Sequence, residues 1–70
     1  MTYELITYPT MLRREVLDTY PTYREAREAA HSRFQISYFE QDMDVNYVAA
    51  DFITEQGAIY SIEPVKGAEQ

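Results

Sequence analysis

The side chains in this sequence whose chemistry could serve a function are one histidine, two aspartates spaced i,i+2, seven tyrosines and a run of carboxylates. His31 is the single histidine, and there is no cysteine. A catalytic imidazole needs a nucleophile to activate and a carboxylate to orient it. A zinc ion needs more nitrogen or sulfur donors than one histidine supplies. His31 falls near the predicted C-terminus of a helix, where positive charge is favoured by the helix dipole. It therefore reads as a structural residue.

Asp42-Met43-Asp44-Val45-Asn46 resembles the start of a calcium-binding loop. Aligned from Asp42, the sixth position is Tyr47, where the loop needs glycine to turn, and the twelfth is Ile53, where it needs a bidentate glutamate. The segment reads instead as a solvated connection between strands, and no metal or other cofactor is expected. Paired carboxylates such as Asp42 and Asp44 can perform acid–base chemistry only in a cleft deep enough to shift a pKa. A single helix on a small sheet rarely makes one. With only Gly57 and Gly67 available, a glycine-rich phosphate loop is ruled out. The expectation is a protein that is not an enzyme and has no catalytic residues.

Charge is the most informative bulk property. The net charge is −6, and it is unevenly placed. Residues 1–33 balance Glu4, Glu15, Asp18, Glu25 and Glu28 against Arg13, Arg14, Arg24, Arg27 and Arg33. Residues 34–70 set Glu40, Asp42, Asp44, Asp51, Glu55, Glu63 and Glu69 against Lys66 alone. Direct binding to nucleic acid is disfavoured, because phosphate contacts need clustered Lys and Arg. Anionic membranes are disfavoured for the same reason. If the strands of the second half are contiguous, Glu40, Asp42, Asp44, Asp51, Glu55 and Glu63 form one negative field. Such a field serves solubility and discourages edge aggregation. It also attracts basic protein surfaces, which are commonly nucleic-acid-binding grooves. These six residues are the candidate partner-binding set. The tyrosines read mostly as core or half-buried strand residues, and an exposed tyrosine beside carboxylates would suit a protein contact.

Elements to position these residues can be read from local pattern. Thr22-Tyr23-Arg24-Glu25 matches a capping box, in which the Thr hydroxyl accepts near Glu25 and the Glu carboxylate reaches back to the cap amide. Ala26, Ala29 and Ala30, with Tyr23 and Phe34 at the ends, form one apolar face and predict a helix over residues 22–34. Arg24 and Glu28 make an i,i+4 pair on its outer side. Alternation predicts strands around Phe34–Tyr38, Val48–Phe52 and Tyr60–Ile62. The loop Thr54-Glu55-Gln56-Gly57 joins the last two, with Gly57 free to take positive φ, and Pro64 ends the final strand. Tyr3–Tyr8 reads as a strand stopped by Pro9. Leu12–Tyr20 suits either a strand or a short helix capped by Thr10, and strand is preferred because Val16, Thr19 and Tyr20 favour it and Pro9-Thr10 makes a hairpin turn. The result is a single α+β domain over residues 1–64, with layout ββαβββ and an antiparallel sheet of four to five strands under one helix. Residues 65–70 read as a frayed tail.

Seventy residues bound this to one domain of modest stability, monomeric or homodimeric, in which 46% apolar residues must supply the core without disulfides. The N-terminal residues carry no basic segment ahead of an apolar run, and no apolar stretch approaches the roughly 18–20 residues that span a bilayer. The expected location is the cytoplasm.

Size, acidity, lack of cysteine and the ββαβββ layout together resemble the small phage-encoded anti-CRISPR proteins. Several of those occupy the DNA-binding groove of a Cas complex with an acidic face. The resemblance covers the general plan and no diagnostic motif, so no residue is carried across. It implies a non-enzymatic inhibitor that mimics DNA and binds a basic partner. Without it, the sequence equally fits a small cytoplasmic adaptor or housekeeping protein whose acidic face only solubilises.

Overall fold

Five strands and one helix follow in the order β1 (Tyr3–Thr10), β2 (Arg13–Tyr20), α1 (Tyr23–Arg33), β3 (Ile36–Met43), β4 (Val48–Thr54) and β5 (Ile59–Pro64). The computed structural model describes residues 2–10, 12–43 and 48–65. The strands form one antiparallel sheet in the order β2-β1-β5-β4-β3. The first and last strands pair at its centre, with Tyr3 opposite Pro64 and Leu5 opposite Ile62. The helix leaves β2 at one edge and delivers the chain to β3 at the other. The layout is therefore the α+β arrangement expected, with five strands.

Helix α1 starts where its cap chemistry dictates. Thr22 is extended, at φ −138°, and its hydroxyl accepts from the backbone N–H of Glu25 at 3.1 Å. The reciprocal half of the capping box differs from expectation. Glu25 Oε2 lies 3.4 Å from the Thr22 hydroxyl, so the carboxylate takes up the cap side chain rather than its backbone amide. At the other end the Phe34 N–H donates to the Ala30 carbonyl at 3.0 Å. Ala26 and Ala30 are fully buried, because a methyl group lets the helix backbone come close to the sheet.

Alternation within the strands fills the face beneath the helix. Leu5, Ile62 and Ala50 stand in one row across three neighbouring strands, and Tyr60, Phe52 and Phe39 stand in another. Phe52 is fully buried, nearly parallel to Tyr60 at 5.2 Å and to Phe39 at 6.0 Å between ring centroids. Burying a side chain such as Phe52, Leu5 or Ile62 stabilises a fold by about 1.5–3 kcal/mol. These residues carry the core.

The N-terminal hairpin corrects two boundaries. β1 continues through Pro9 to Thr10, and its register with β2 shifts between Thr7 and Thr10. The missing N–H of a proline is tolerated at such an irregularity. The turn falls after Thr10, which pairs with Arg13, and Leu12 lies in it at 99% exposure rather than in the strand. Residues 13–20 are strand, not helix, with Leu17 as the extra residue of a bulge between the Leu5–Asp18 and Ile6–Val16 pairs. Phe34, read as the start of a strand, is the helix C-cap, and β3 begins at Ile36. Val65, read with the tail, donates its N–H to the Thr2 carbonyl at 2.8 Å. The rest of the tail lies outside the described residues.

Candidate protein-docking face

Among the described residues, the side of the sheet away from α1 carries no second layer of helix or strand. Strand register decides which candidates reach it. Glu40 on β3 stands opposite Asp51 on β4, and Asp51 stands opposite Ser61 on β5. Asp42 shares the parity of Glu40 and stands opposite Ala49. Glu63 shares the parity of Ser61 and stands opposite Glu4 on β1. Four of the six candidates, Glu40, Asp42, Asp51 and Glu63, therefore share this open face. Glu55 does not join them. It lies in the turn after β4, where its N–H donates to the Gln35 carbonyl at 2.8 Å. Asp44, and with it most of the segment resembling a calcium loop, lies outside the described residues.

Two further charged residues belong here that local pattern did not single out. Glu4 arrives because β1 pairs with β5, a contact between the two ends of the chain. Arg14 on β2 donates to Glu4 Oε1 at 3.1 Å and lies 3.8 Å from Glu63 Oε1. The hydrogen bond to Glu4, with the charges of Glu4 and Glu63 beside it, raises the guanidinium pKa above its ordinary value against the smaller effect of burial. Among the described residues, Glu40, Asp42 and Asp51 form no ion pair. Asp51 instead accepts from the buried Ser61 hydroxyl.

Apolar side chains complete the face. Ile53 stands opposite both Ile59 and Tyr38, and all three are exposed, Tyr38 by 57% and Ile59 by 51%. With Tyr8 they wall a groove of about 420 Å³ whose rim carries Glu40, Asp51 and Glu63. The Tyr8 hydroxyl donates to Glu63 at 3.4 Å. The open face thus divides into an apolar end and an acidic end. That arrangement can receive a cationic group at one end and an apolar anchor at the other.

The tyrosines among the described residues divide between the two sides of the sheet, and Tyr47 lies outside those residues. Tyr3 is buried in the core, Tyr20, Tyr23 and Tyr60 pack against it half-buried, and Tyr8 and Tyr38 line the open groove. His31 lies on the helix side, its ring 5.1 Å from Phe39 and in a shallow hollow with Arg24, Arg27 and Glu28. Arg27 also lies over the Phe39 ring at 5.1 Å. The helix thus mixes Arg24, Arg27 and Arg33 with Glu25 and Glu28, whereas on the open face Arg14 stands against Glu4, Glu40, Asp42, Asp51 and Glu63.

Among the described residues, no helix is long and apolar enough to cross a membrane. No protein-family model, curated protein or solved structure matches the chain.

Proposed function

We propose that the chain is a non-enzymatic acidic inhibitor that docks its open sheet face on a basic, nucleic-acid-binding surface of a partner protein. The observation that carries this reading is the convergence of Glu40, Asp42, Asp51 and Glu63 on one uncovered face, three of them around an apolar groove. Solubility requires dispersed charge, not charge gathered around exposed Tyr38, Ile53 and Ile59. A basic groove that normally holds phosphates complements the acidic end, and the apolar end supplies contact that bulk charge cannot. The mode is DNA mimicry of the anti-CRISPR type, in the cytoplasm, with no direct contact to nucleic acid.

The test is competition with labelled DNA for purified CRISPR effector complexes, at about 50 and 300 mM salt, where screening differs strongly. The wild-type chain displaces DNA at low salt and loses this ability at high salt. The triple variant Glu40→Gln, Asp42→Asn, Asp51→Asn displaces it poorly while its far-UV circular dichroism is unchanged. Equal displacement by the triple variant, or no displacement by the wild-type chain, leaves the acidic face with a solubilising role only.

A further inference from the structure

We propose that the free edge of β3 receives an extended basic segment of the partner as a sixth strand. This rests on the docking reading above and specifies how the partner engages. Among the described residues, β3 pairs with β4 alone, so the backbone N–H and C=O groups along its outer side have no strand partner. Such an edge is a template for strand addition unless the chain blunts it. From Tyr38 to Met43 the register with β4 runs without a shift, and the bulge lies behind this stretch, at Ser37. No proline or lysine interrupts it.

The opposite edge is different. β2 has a bulge at Leu17, loses register again towards its hairpin, and carries Arg13 and Arg14. A basic segment would be twisted off that edge, where Glu15 and Asp18 only balance Arg13 and Arg14 and leave no net negative charge to attract it.

Charge also decides what β3 accepts. Tyr38, Glu40 and Asp42 are exposed at alternate positions and point to the open face. Residues directly opposite on an added strand come within about 4.5–5.5 Å at Cβ, close enough for opposite charges to stabilise the pairing and like charges to oppose it. A second copy of this chain meets that rule badly. Antiparallel pairing of two β3 strands about Glu40, Gln41 or Asp42 places Glu40 against Glu40, Glu40 against Asp42, or Asp42 against Asp42. An incoming segment with Arg or Lys at alternate positions faces Glu40 and Asp42, and an apolar residue two further along faces Tyr38. The pattern recognised is basic-x-basic-x-apolar.

The experiment uses synthetic peptides of equal charge, titrated into the full chain by calorimetry at about 50 mM salt. One alternates arginine with threonine and ends in valine. The second has the same composition with its arginines consecutive. The third is the alternating peptide N-methylated at every second residue, in both phases, so that one version lacks the amides facing β3. The alternating peptide binds and slows hydrogen exchange of outward-facing β3 amides. One N-methylated phase binds about tenfold or more weakly, as expected for losing several backbone hydrogen bonds. The consecutive peptide binds more weakly, and the double variant Glu40→Lys, Asp42→Lys binds none of them. Equal binding by both methylated phases and the parent overturns strand addition while leaving an acidic docking face. Absence of binding by every peptide at low salt overturns both.

Discussion

Glu40 and Asp51 stand directly opposite each other on β3 and β4, with no ion-pairing cation at either among the described residues. Like charges in that position oppose strand pairing by roughly 0.2–1 kcal/mol. The Ser61 hydroxyl supports Asp51 from the other side, and Glu40 is left to solvent. Glu40→Lys converts the repulsion into an attractive cross-strand pair. Its urea midpoint is expected to rise, by about 0.2–1 kcal/mol in stability, while docking on a basic partner weakens. A variant no more stable than the parent would show that solvent already screens the pair.

The helix gives a second prediction. Thr22 satisfies the Glu25 N–H at 3.1 Å, so Thr22→Ala should lower stability by about 0.5–2 kcal/mol. Ala30→Glu should lower it further, because residue 30 is fully buried against the sheet and a carboxylate there has neither room nor a partner. Chemical denaturation followed by circular dichroism measures both. An Ala30→Glu midpoint equal to that of Thr22→Ala would mean that the helix tilts away from the sheet easily.

How far the fold was legible in the sequence follows from the range of each interaction. The α1 start at Thr22 and its alanine face are local, so a capping motif and a 3.6-residue period located them. The β4–β5 hairpin is local too, and Gly57 marked it. The pairing of β1 with β5 is not local, and no pattern within Tyr3–Thr10 announces that Leu5 will stand opposite Ile62. Glu4 was consequently read with the balanced half, although it shares the open face with Glu63. Bulges hid further detail, since Leu17 and Ser37 each shift the parity of their strands. Among the site residues, Glu40, Asp42, Asp51 and Glu63 were placed together because β3, β4 and β5 are contiguous. Glu55 was not, because a turn residue obeys no sheet parity.

Gly57 has φ of +91°, and a Cβ built on it meets no atom within 4 Å. Space is therefore not the constraint, and backbone conformation is. Gly57→Ala should lower stability by about 1 kcal/mol through strain at that φ, with the hairpin otherwise retained. The comparison is thermal unfolding of Gly57→Ala and Gly57→Asn, since asparagine tolerates positive φ better than alanine. Equal stability of the alanine variant and the parent would show that the β4–β5 turn readily takes another form.

The last prediction concerns alkaline stability. Tyr23 packs edge-on against Tyr3 with ring centroids 5.8 Å apart, and its hydroxyl donates to Gln41 Oε1 at 2.8 Å. Burial raises the Tyr23 pKa above its ordinary value of 10.0, against an opposing effect of nearby Arg27 and with a smaller push from Tyr3. The native state thus holds the phenolic proton more tightly than the unfolded chain. Below the unfolded pKa both states are protonated and this contribution to stability is fully present. As pH rises past about 10, the unfolded chain loses its proton first, so stability falls until the folded group also ionises. Tyr23→Phe removes the group that titrates. It should lower stability at neutral pH by about 0.5 kcal/mol, for one partly exposed hydrogen bond, and should flatten the decline above pH about 10. Urea unfolding of both proteins across the alkaline range is the measurement. Parallel curves for the two would assign the alkaline decline to other tyrosines and leave Tyr23 with a packing role alone.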